Sequence, residues 1–166
     1  MPRFSREELT QAFATFEATV AEAARTRDWN AWVSHYTPDV DYIEHAMGTM
    51  KGRDEVRAWI TTTMGTFPGS YMTEFPSLWS VIDEDTGRVI CELDNPMRDP
   101  GDGTIITATN ISIVTYAGDG LWSRQEDIYN PLRFVQAGMK WCKKAERLGT
   151  LDDEAAAWMR QMGGGK

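Results

Sequence analysis

The spacing of hydrophobic residues changes twice along this chain of 166 residues, and that change limits the folds available to it. Near the start, Leu9, Phe13 and Phe16 follow the spacing of one helix face. From about residue 71 the pattern becomes rich in β-forming residues separated by turn clusters, and helical spacing returns near residue 130. We therefore predict an α+β domain in which helices pack over a curved antiparallel sheet.

The predicted elements form one unit, since no linker is long enough to divide the chain. We assign residues 1–150 to the folded domain and residues 151–166 to a C-terminal helix and a disordered glycine tail. Residues 48–52 are interpreted as a turn. The predicted helices are 5–25, 28–36, 53–65, one that begins at Pro131, and 152–162; the predicted strands are 40–45, 77–83, 88–97, 104–117 and 121–129.

Charge and cysteine content restrict the partners and the compartment. The formal charge of -8 disfavours nucleic acid and anionic membrane surfaces. Cys91 and Cys142 form no CxxC motif, and no stretch reaches the roughly 18 apolar residues that span a membrane. We therefore predict a cytoplasmic protein. With two histidines and no glycine-rich phosphate loop in the sequence, we predict no metal and no cofactor.

One local pattern consists of Trp29, Trp32, Tyr36, Thr37, Pro38, Asp39, Val40, Tyr42, Gly48, Gly52, Arg53, Asp54 and Val56. This pattern and the order of elements over about residues 5–145 resemble the NTF2-like superfamily, and within it the SnoaL-like proteins. The resemblance implies a cystatin-like cone, in which helices on a strongly curved mixed or antiparallel sheet enclose a pocket for a small hydrophobic ligand. It also implies a homodimer through the exposed sheet face, for which Val89, Leu93, Ile111 and Ile113 are candidate contacts.

The first strand offers the leading catalytic candidates. Alternation places Tyr42 and Glu44 on one face, and Ile43 and His45 on the other. The resemblance puts Glu44 where ketosteroid isomerases carry their catalytic carboxylate, and Tyr42 where epoxide hydrolases carry a water-orienting tyrosine. We predict that Glu44 is a general base, because a carboxylate shielded by apolar walls can move a proton between substrate positions. The alternative places Glu44 at a solvated strand end.

Further acidic residues occur on two later strands. One interpretation places Glu92 and Asp94 in the same pocket as Glu44, and the other places them on an exposed sheet face or at a dimer contact. Resemblance to epoxide hydrolases aligns Asp94 and Asp127 with two of their catalytic carboxylates, but Glu92 replaces the arginine between them. Without that guanidinium, one carboxylate of a close pair tends to stay protonated, which disfavours epoxide opening and favours isomerisation, dehydration or cyclisation.

Several polar and aromatic residues are predicted to contact the substrate. Asn110 lies in an apolar strand, where it either orients a ligand carbonyl or bridges to a neighbouring strand. His45 reaches the same ligand as Glu44 only if a bulge intervenes. The predicted substrate-binding residues are Trp32, His45, Glu92, Asn110, Trp59 and Tyr129.

The leading functional hypothesis is a cofactor-independent isomerase, cyclase or dehydratase acting on a hydrophobic substrate such as a steroid, polyketide or terpenoid. In it, Glu44 is the base, Tyr42 orients, and Asp94 with Asp127 supplies a protonated donor or second base. A second hypothesis is a non-catalytic ligand-binding or structural subunit, because the region from Trp32 to Tyr42 also resembles the small subunits of ring-hydroxylating dioxygenases. The third is an epoxide hydrolase-like activity.

Overall fold

The computed structural model describes residues 3–163, which fold into five α-helices, six strands and one short 3-10 turn. The helices are α1 (Arg6–Thr26), α2 (Asn30–Ser34), α3 (Gly52–Gly65), α4 (Pro131–Leu148) and α5 (Asp153–Gly163). The strands are β1 (Tyr36–Glu44), β2 (Gly48–Lys51), β3 (Ser77–Asp83), β4 (Arg88–Asp94), β5 (Thr109–Gly118) and β6 (Leu121–Ile128). Gly164 and Gly165 of the predicted disordered tail lie outside the described residues, and Gly163 ends α5.

The six strands form one curved sheet in the order β2-β1-β6-β5-β4-β3. Every neighbouring pair is antiparallel except β1 and β6, which run parallel. The sheet is therefore mixed, because the last strand returns beside the first. This pairing brings residues from the two ends of the domain onto one face.

Helix α1 covers the inner face of the sheet. It begins after Ser5, whose hydroxyl accepts a hydrogen bond from the Glu8 backbone N–H at 3.1 Å, as the capping pattern predicts. Phe13 and Phe16 on its apolar face pack against the fully buried Trp122 of β6, with ring centroids 6.3 and 5.6 Å away. The main core lies between this helix and the sheet.

A second core lies at one end of the sheet, under α4 and α5. Trp141 of α4 packs edge-on against Tyr71 at 4.9 Å, and its indole N–H donates to the Arg98 carbonyl at 2.7 Å. Asp152 caps α5 by accepting from the Ala155 N–H at 3.0 Å. Within residues 3–163, no helix combines the length and apolarity needed to cross a membrane.

The first two strands differ from the sequence prediction. The second helix is shorter than predicted, because β1 already begins at Tyr36, whose position pairs with Trp122 of β6. The segment interpreted as a turn contains β2, which pairs with β1 from Gly48 to Lys51. Short, mostly exposed strands of this kind carry little hydrophobic alternation, so their pattern is easily taken for a turn.

The predicted dimer contacts divide between the two faces of the sheet. Val89 is fully buried and Leu93 packs against the main core, so both face the helices. Ile111 and Ile113 lie on the opposite face, since they alternate with the buried Asn110 and Ser112. The prediction that all four share one surface is therefore wrong.

Candidate active site

Two connected chambers lie between the sheet and the helices. The inner chamber has a volume of about 110 Å³ and the outer chamber about 410 Å³. Both are lined by Trp59, Met64, Asn95, Asn110 and Asp127, which therefore mark the junction between the two chambers.

The inner chamber is mainly aromatic. Trp29 and Trp32 from the region of α2 lie at 85° to each other, with centroids 5.8 Å apart. Tyr42 of β1 packs against Trp59 of α3 at 4.8 Å. The inner chamber is also lined by Phe13, Phe16, Glu17, Phe75, Ser77, Cys91, Leu93, Ser112 and Gln125.

The outer chamber lies between the end of α3, the loop after it, and helices α4 and α5. Glu44 and Tyr129 form its polar side. Trp158 of α5 packs against Phe67 with ring centroids 4.9 Å apart, and both rings line the outer chamber. The outer chamber is also lined by Met47, Thr62, Thr63, Thr66, Pro68, Met72, Phe134, Val135 and Met162.

Asp127 is the carboxylate at the junction of the two chambers. One of its oxygens, Oδ2, accepts the hydroxyl proton of Tyr42. The other, Oδ1, accepts from Ser112 Oγ at 2.5 Å and from Gln125 Nε2 at 3.0 Å. Three side chains from three strands thus fix its orientation.

Burial raises the pKa of Asp127 above the ordinary aspartate range. Its hydrogen bonds from Ser112, Tyr42 and Gln125 lower this pKa, whereas the nearby Glu44 carboxylate raises it. Burial also raises the pKa of Tyr42 far above that of free tyrosine, with a further contribution from the Asp127 charge. Tyr42 therefore stays protonated and acts as a donor to Asp127.

A buried chain of polar side chains extends from Asp127 in both directions. Asn110 Nδ2 donates to Ser112 Oγ at 3.0 Å, and Asn95 Nδ2 donates to Asn110 Oδ1 at 2.9 Å. On the other side, Tyr36 donates its hydroxyl proton to Gln125 Oε1 at 2.5 Å. Because Asn95, Asn110, Ser112, Gln125 and Tyr36 each have a partner in this hydrogen-bond chain, it holds the carboxylate rigidly.

Glu44 is almost completely buried, with 3% of its surface exposed. Its Oε2 accepts the backbone N–H groups of Ala46 at 2.9 Å and Met47 at 2.5 Å. Its Oε1 accepts the hydroxyl of Tyr129, whose pKa is raised by burial and by this hydrogen bond. The interpretation of Glu44 as a solvated residue at a strand end is therefore wrong.

Tyr42 and Glu44 point to the same side of β1, as alternation predicts. In the parallel pairing of β1 with β6, Tyr42 is opposite Gln125 and Glu44 is opposite Asp127. The two carboxylates therefore occupy neighbouring positions on the inner face, although they come from distant parts of the chain.

The structure does not bring Asp94, Glu92 or His45 into either chamber. Asp94 accepts hydrogen bonds from Thr107 and from the Asn95 N–H, and Glu92 accepts from Trp79 Nε1 at 2.6 Å. His45 lies 3.0 Å from Glu126 on the outer face. The interpretation that placed the acidic residues of β4 in the pocket is wrong, because Cys91 and Leu93 face inward and alternation turns Glu92 and Asp94 outward.

The other predicted substrate contacts lie at the chambers. Trp32 lines the inner chamber, Tyr129 lines the outer one, and Trp59 and Asn110 lie at their junction. Asn110 was predicted either to orient a ligand or to bridge to a neighbouring strand. It faces the chambers and also accepts a hydrogen bond from Asn95, which directly follows β4. Whether these four residues bind substrate stays a prediction.

Sequence reasoning assigned no role to five polar residues of the inner chamber: Glu17, Ser77, Asn95, Ser112 and Gln125. Two of them carried a usable signal. Glu17 follows Phe13 by one helical turn, which places it on the apolar face of α1. Ser112 alternates with Asn110 in an otherwise apolar strand.

Among residues 3–163, no group of three or more His, Cys, Asp or Glu side chains is placed to hold a metal ion. The carboxylates of the site instead bond to hydroxyl, amide and backbone donors. The arrangement is suited to moving protons beside an apolar ligand.

A model of the SnoaL-like domain matches residues 16–125, more than half of the chain. The chain belongs to the SnoaL-like family. This SnoaL-like protein has no match among curated proteins.

Solved structures with this fold support the assignment at low sequence identity. TerC, co-crystallised with polyporic acid, is 18% identical with a TM-score of 0.58, and the match covers 78% of this chain and 97% of TerC. A candidate polyketide cyclase from Xanthomonas campestris is 17% identical with a TM-score of 0.58, and the match covers 80% of this chain and 97% of that protein. A hypothetical protein from Catenulispora acidiphila with a ketosteroid isomerase-like fold, in complex with trimethylamine, is 18% identical with a TM-score of 0.58, and the match covers 80% of this chain and 93% of that protein. These likenesses show the shared NTF2-like fold of the SnoaL-like chain.

Proposed function

We propose that this chain is a cofactor-independent enzyme that moves a proton on a small hydrophobic substrate, as an isomerase, cyclase or dehydratase does. The observation that carries the proposal is Asp127, a carboxylate with a raised pKa that opens onto both chambers. A carboxylate whose pKa is raised by burial accepts a proton more readily than an ordinary aspartate and can later return it. The structural likeness to a candidate polyketide cyclase and to a protein with a ketosteroid isomerase-like fold is compatible with this chemistry.

In this proposal Asp127 takes the proton from a substrate carbon beside a carbonyl group. Tyr42, which stays protonated, donates to Asp127 and orients it. Glu44 is the second carboxylate, and its two backbone N–H donors hold it in place at the start of the β1–β2 turn. Glu44 lines only the outer chamber, whereas Asp127 lines both chambers. The proposal thus transfers the role of base from Glu44 to Asp127.

The test is deuterium exchange, which detects proton abstraction without knowledge of the product. Steroid enones, aromatic polyketide ketones and terpenoid ketones would be incubated in D₂O with the protein, and loss of the α-proton followed by NMR. Asp127→Asn should slow exchange by about 10²-fold or more, because the transferring group is lost. Asp119→Asn, an equal change in an exposed turn, should leave the rate unaltered. If exchange survives in Asp127→Asn and disappears in Glu44→Gln, Glu44 rather than Asp127 is the base.

The alternative function is a non-catalytic ligand-binding or structural subunit. The outer face of the sheet favours it, since Trp79 and Val81 are 45% and 55% exposed there and offer apolar contact surface. Binding of the ketones by wild-type protein without any deuterium exchange would support this alternative. The epoxide hydrolase-like arrangement is not formed, because Asp94 and Asp127 lie on opposite faces of the sheet.

A further inference from the structure

The charged residues that line the two chambers are all acidic. The inner chamber contains Glu17 and Asp127, and the outer chamber contains Glu44 and Asp127. Among the described residues, no lysine, arginine or histidine lines either chamber. A ligand with a carboxylate or phosphate group would therefore meet like charge with no cation to offset it.

Glu17 differs from the surface acids of the protein. It lies on the inward side of α1, beside Phe13 and Phe16. Within residues 3–163, its carboxylate has no salt bridge and no hydrogen-bond donor, whereas Glu22 on the same helix pairs with Arg25 at 2.6 Å. A half-buried carboxylate at an apolar chamber is stabilised by a cation, which the described protein does not supply.

The aromatic side chains near Glu17 are arranged as the walls of a box. Trp32 is nearly perpendicular to Trp29 and lies at 73° to Tyr42, with centroids 6.0 Å from the latter. Phe75 lies at 67° to Trp29, with centroids 5.9 Å apart. These edge-to-face contacts arrange the rings around the inner chamber, which all four of them line. The faces of Trp and Tyr attract cations, most strongly where water is excluded.

The two inner carboxylates act on the same point of the chamber wall. The pKa of the Cys91 thiol is raised to about 12, mainly by burial and in part by the charges of Asp127 and Glu17. Since Asp127 and Glu17 belong to different elements, their fields converge on the chamber between them. A positive group placed there would be attracted by both carboxylates and by the aromatic faces.

We propose that the inner chamber binds the ammonium group of an amine-bearing hydrophobic substrate. The body of that substrate lies in the outer chamber, and its reacting carbon lies beside Asp127 at the junction. The inner volume of about 110 Å³ suits a small head group, and the larger outer volume suits an apolar body. This inference rests on the proposed proton-transfer function and narrows its substrate class.

The experiment compares three probes that share a naphthylethyl body and end in a trimethylammonium, a hydroxyl or a carboxylate group. Their dissociation constants would be measured by calorimetry on the full chain. The ammonium probe should bind at least about ten-fold more tightly than the alcohol, and the carboxylate at least about ten-fold more weakly. In Glu17→Gln, which keeps the side-chain shape, the preference for ammonium over alcohol should fall about five-fold, with alcohol binding unchanged.

Glu7→Gln is the matched control, because it removes the same charge from an exposed position of the same helix. The preference for ammonium should be intact in this variant, and should persist in about 1 M salt, which screens general attraction to an acidic surface. Equal binding of ammonium and alcohol, no binding of any probe, or an equal loss in Glu7→Gln would overturn the inference. Deuterium exchange of neutral ketones is measured separately, so the proposed function can stand when this inference fails.

Discussion

Glu44 and Asp127 are direct neighbours on parallel strands, and both side chains lie on the helix-covered face of the sheet. Two carboxylates in such positions repel each other, and the Glu44 charge contributes to the raised pKa of Asp127. The protein nevertheless holds both, because each accepts three hydrogen bonds from fixed donors. The pair thus couples the stability of the fold to the protonation of its site.

Asp127→Asn should change the dependence of stability on pH. The pKa of Asp127 is higher in the folded protein than in the unfolded chain, so the folded protein binds more protons between these two values. The contribution of Asp127 is therefore complete below the unfolded pKa and is lost as the pH rises through the folded pKa, by at most about 1.4 kcal/mol per pH unit. Asparagine does not titrate, so the variant should lack this loss.

Urea unfolding of wild type and Asp127→Asn across the acidic to neutral range would measure this difference. Asp119→Asn should follow the wild-type curve, since residue 119 is exposed. Parallel curves for wild type and Asp127→Asn would contradict the assignment of a raised pKa to Asp127. The titratable groups that interact with Asp127 and remain in the variant are Glu44, Tyr36, Tyr42, Tyr129 and Cys91.

Tyr42→Phe should raise the pKa of Asp127 still further. The phenol donates to Asp127 Oδ2 and thereby lowers this pKa, so its removal leaves the charged form less stabilised. The fall of stability with rising pH should then occur at higher pH, together with an overall loss of about 1–2 kcal/mol for the missing hydrogen bond. Tyr116→Phe, which loses a bond from the Gly120 N–H at 2.9 Å, should cost stability without moving the pH dependence.

Gly138→Ala should destabilise the wall of the outer chamber. A methyl group at residue 138 would lie 2.8 Å from the Trp158 indole, which is rigid and already packed against Phe67. Alanine normally stabilises a helix relative to glycine, but here the clash should dominate and cost about 1–3 kcal/mol. Gly65→Ala provides the comparison, because no atom lies within 4 Å of its added methyl group. Thermal unfolding showing equal effects at both positions would rule out close packing by Trp158.

The outer sheet face should mediate a homodimer. The exposed Val81 pairs with Ile90, and Ile90 pairs with Ile113, which gives an apolar row across β3, β4 and β5. The exposed Trp79 lies beside this row. Val81→Glu should shift the molecular mass measured by light scattering from dimer to monomer. Ile105→Glu, at a residue that is 75% exposed elsewhere, should leave the mass unchanged. A monomeric wild-type protein would refute this prediction.

The orientation of the first strand could be predicted from sequence, whereas that of β4 could not. On β1, Tyr42 and Glu44 alternate with residues of the other face, and the resemblance to known enzymes selected which pair faces inward. On β4 both faces contain apolar residues, since Ile90 alternates with Val89 and Cys91. Alternation then gives the two sets but not which set is buried, because the outer face is itself apolar.

The hydrogen-bond chain around Asp127 was beyond sequence reasoning for a different reason. Gln125 could be placed on the same face as Asp127, but its bonds to Tyr36 and Tyr42 depend on the register between β6 and β1. These strands pair in parallel, and no turn connects them to fix that register. Local patterns therefore identified Tyr42, Glu44 and Asp127 but not the contacts between them.

The parallel pairing of β1 with β6 also determines when the site comes into existence. Tyr42 and Asp127 are 85 residues apart in sequence, and they meet only when the last strand enters between β1 and β5. Contacts between such distant residues form late, because a long loop must close first. During synthesis, the residues of the candidate site therefore come together only after β6 has left the ribosome.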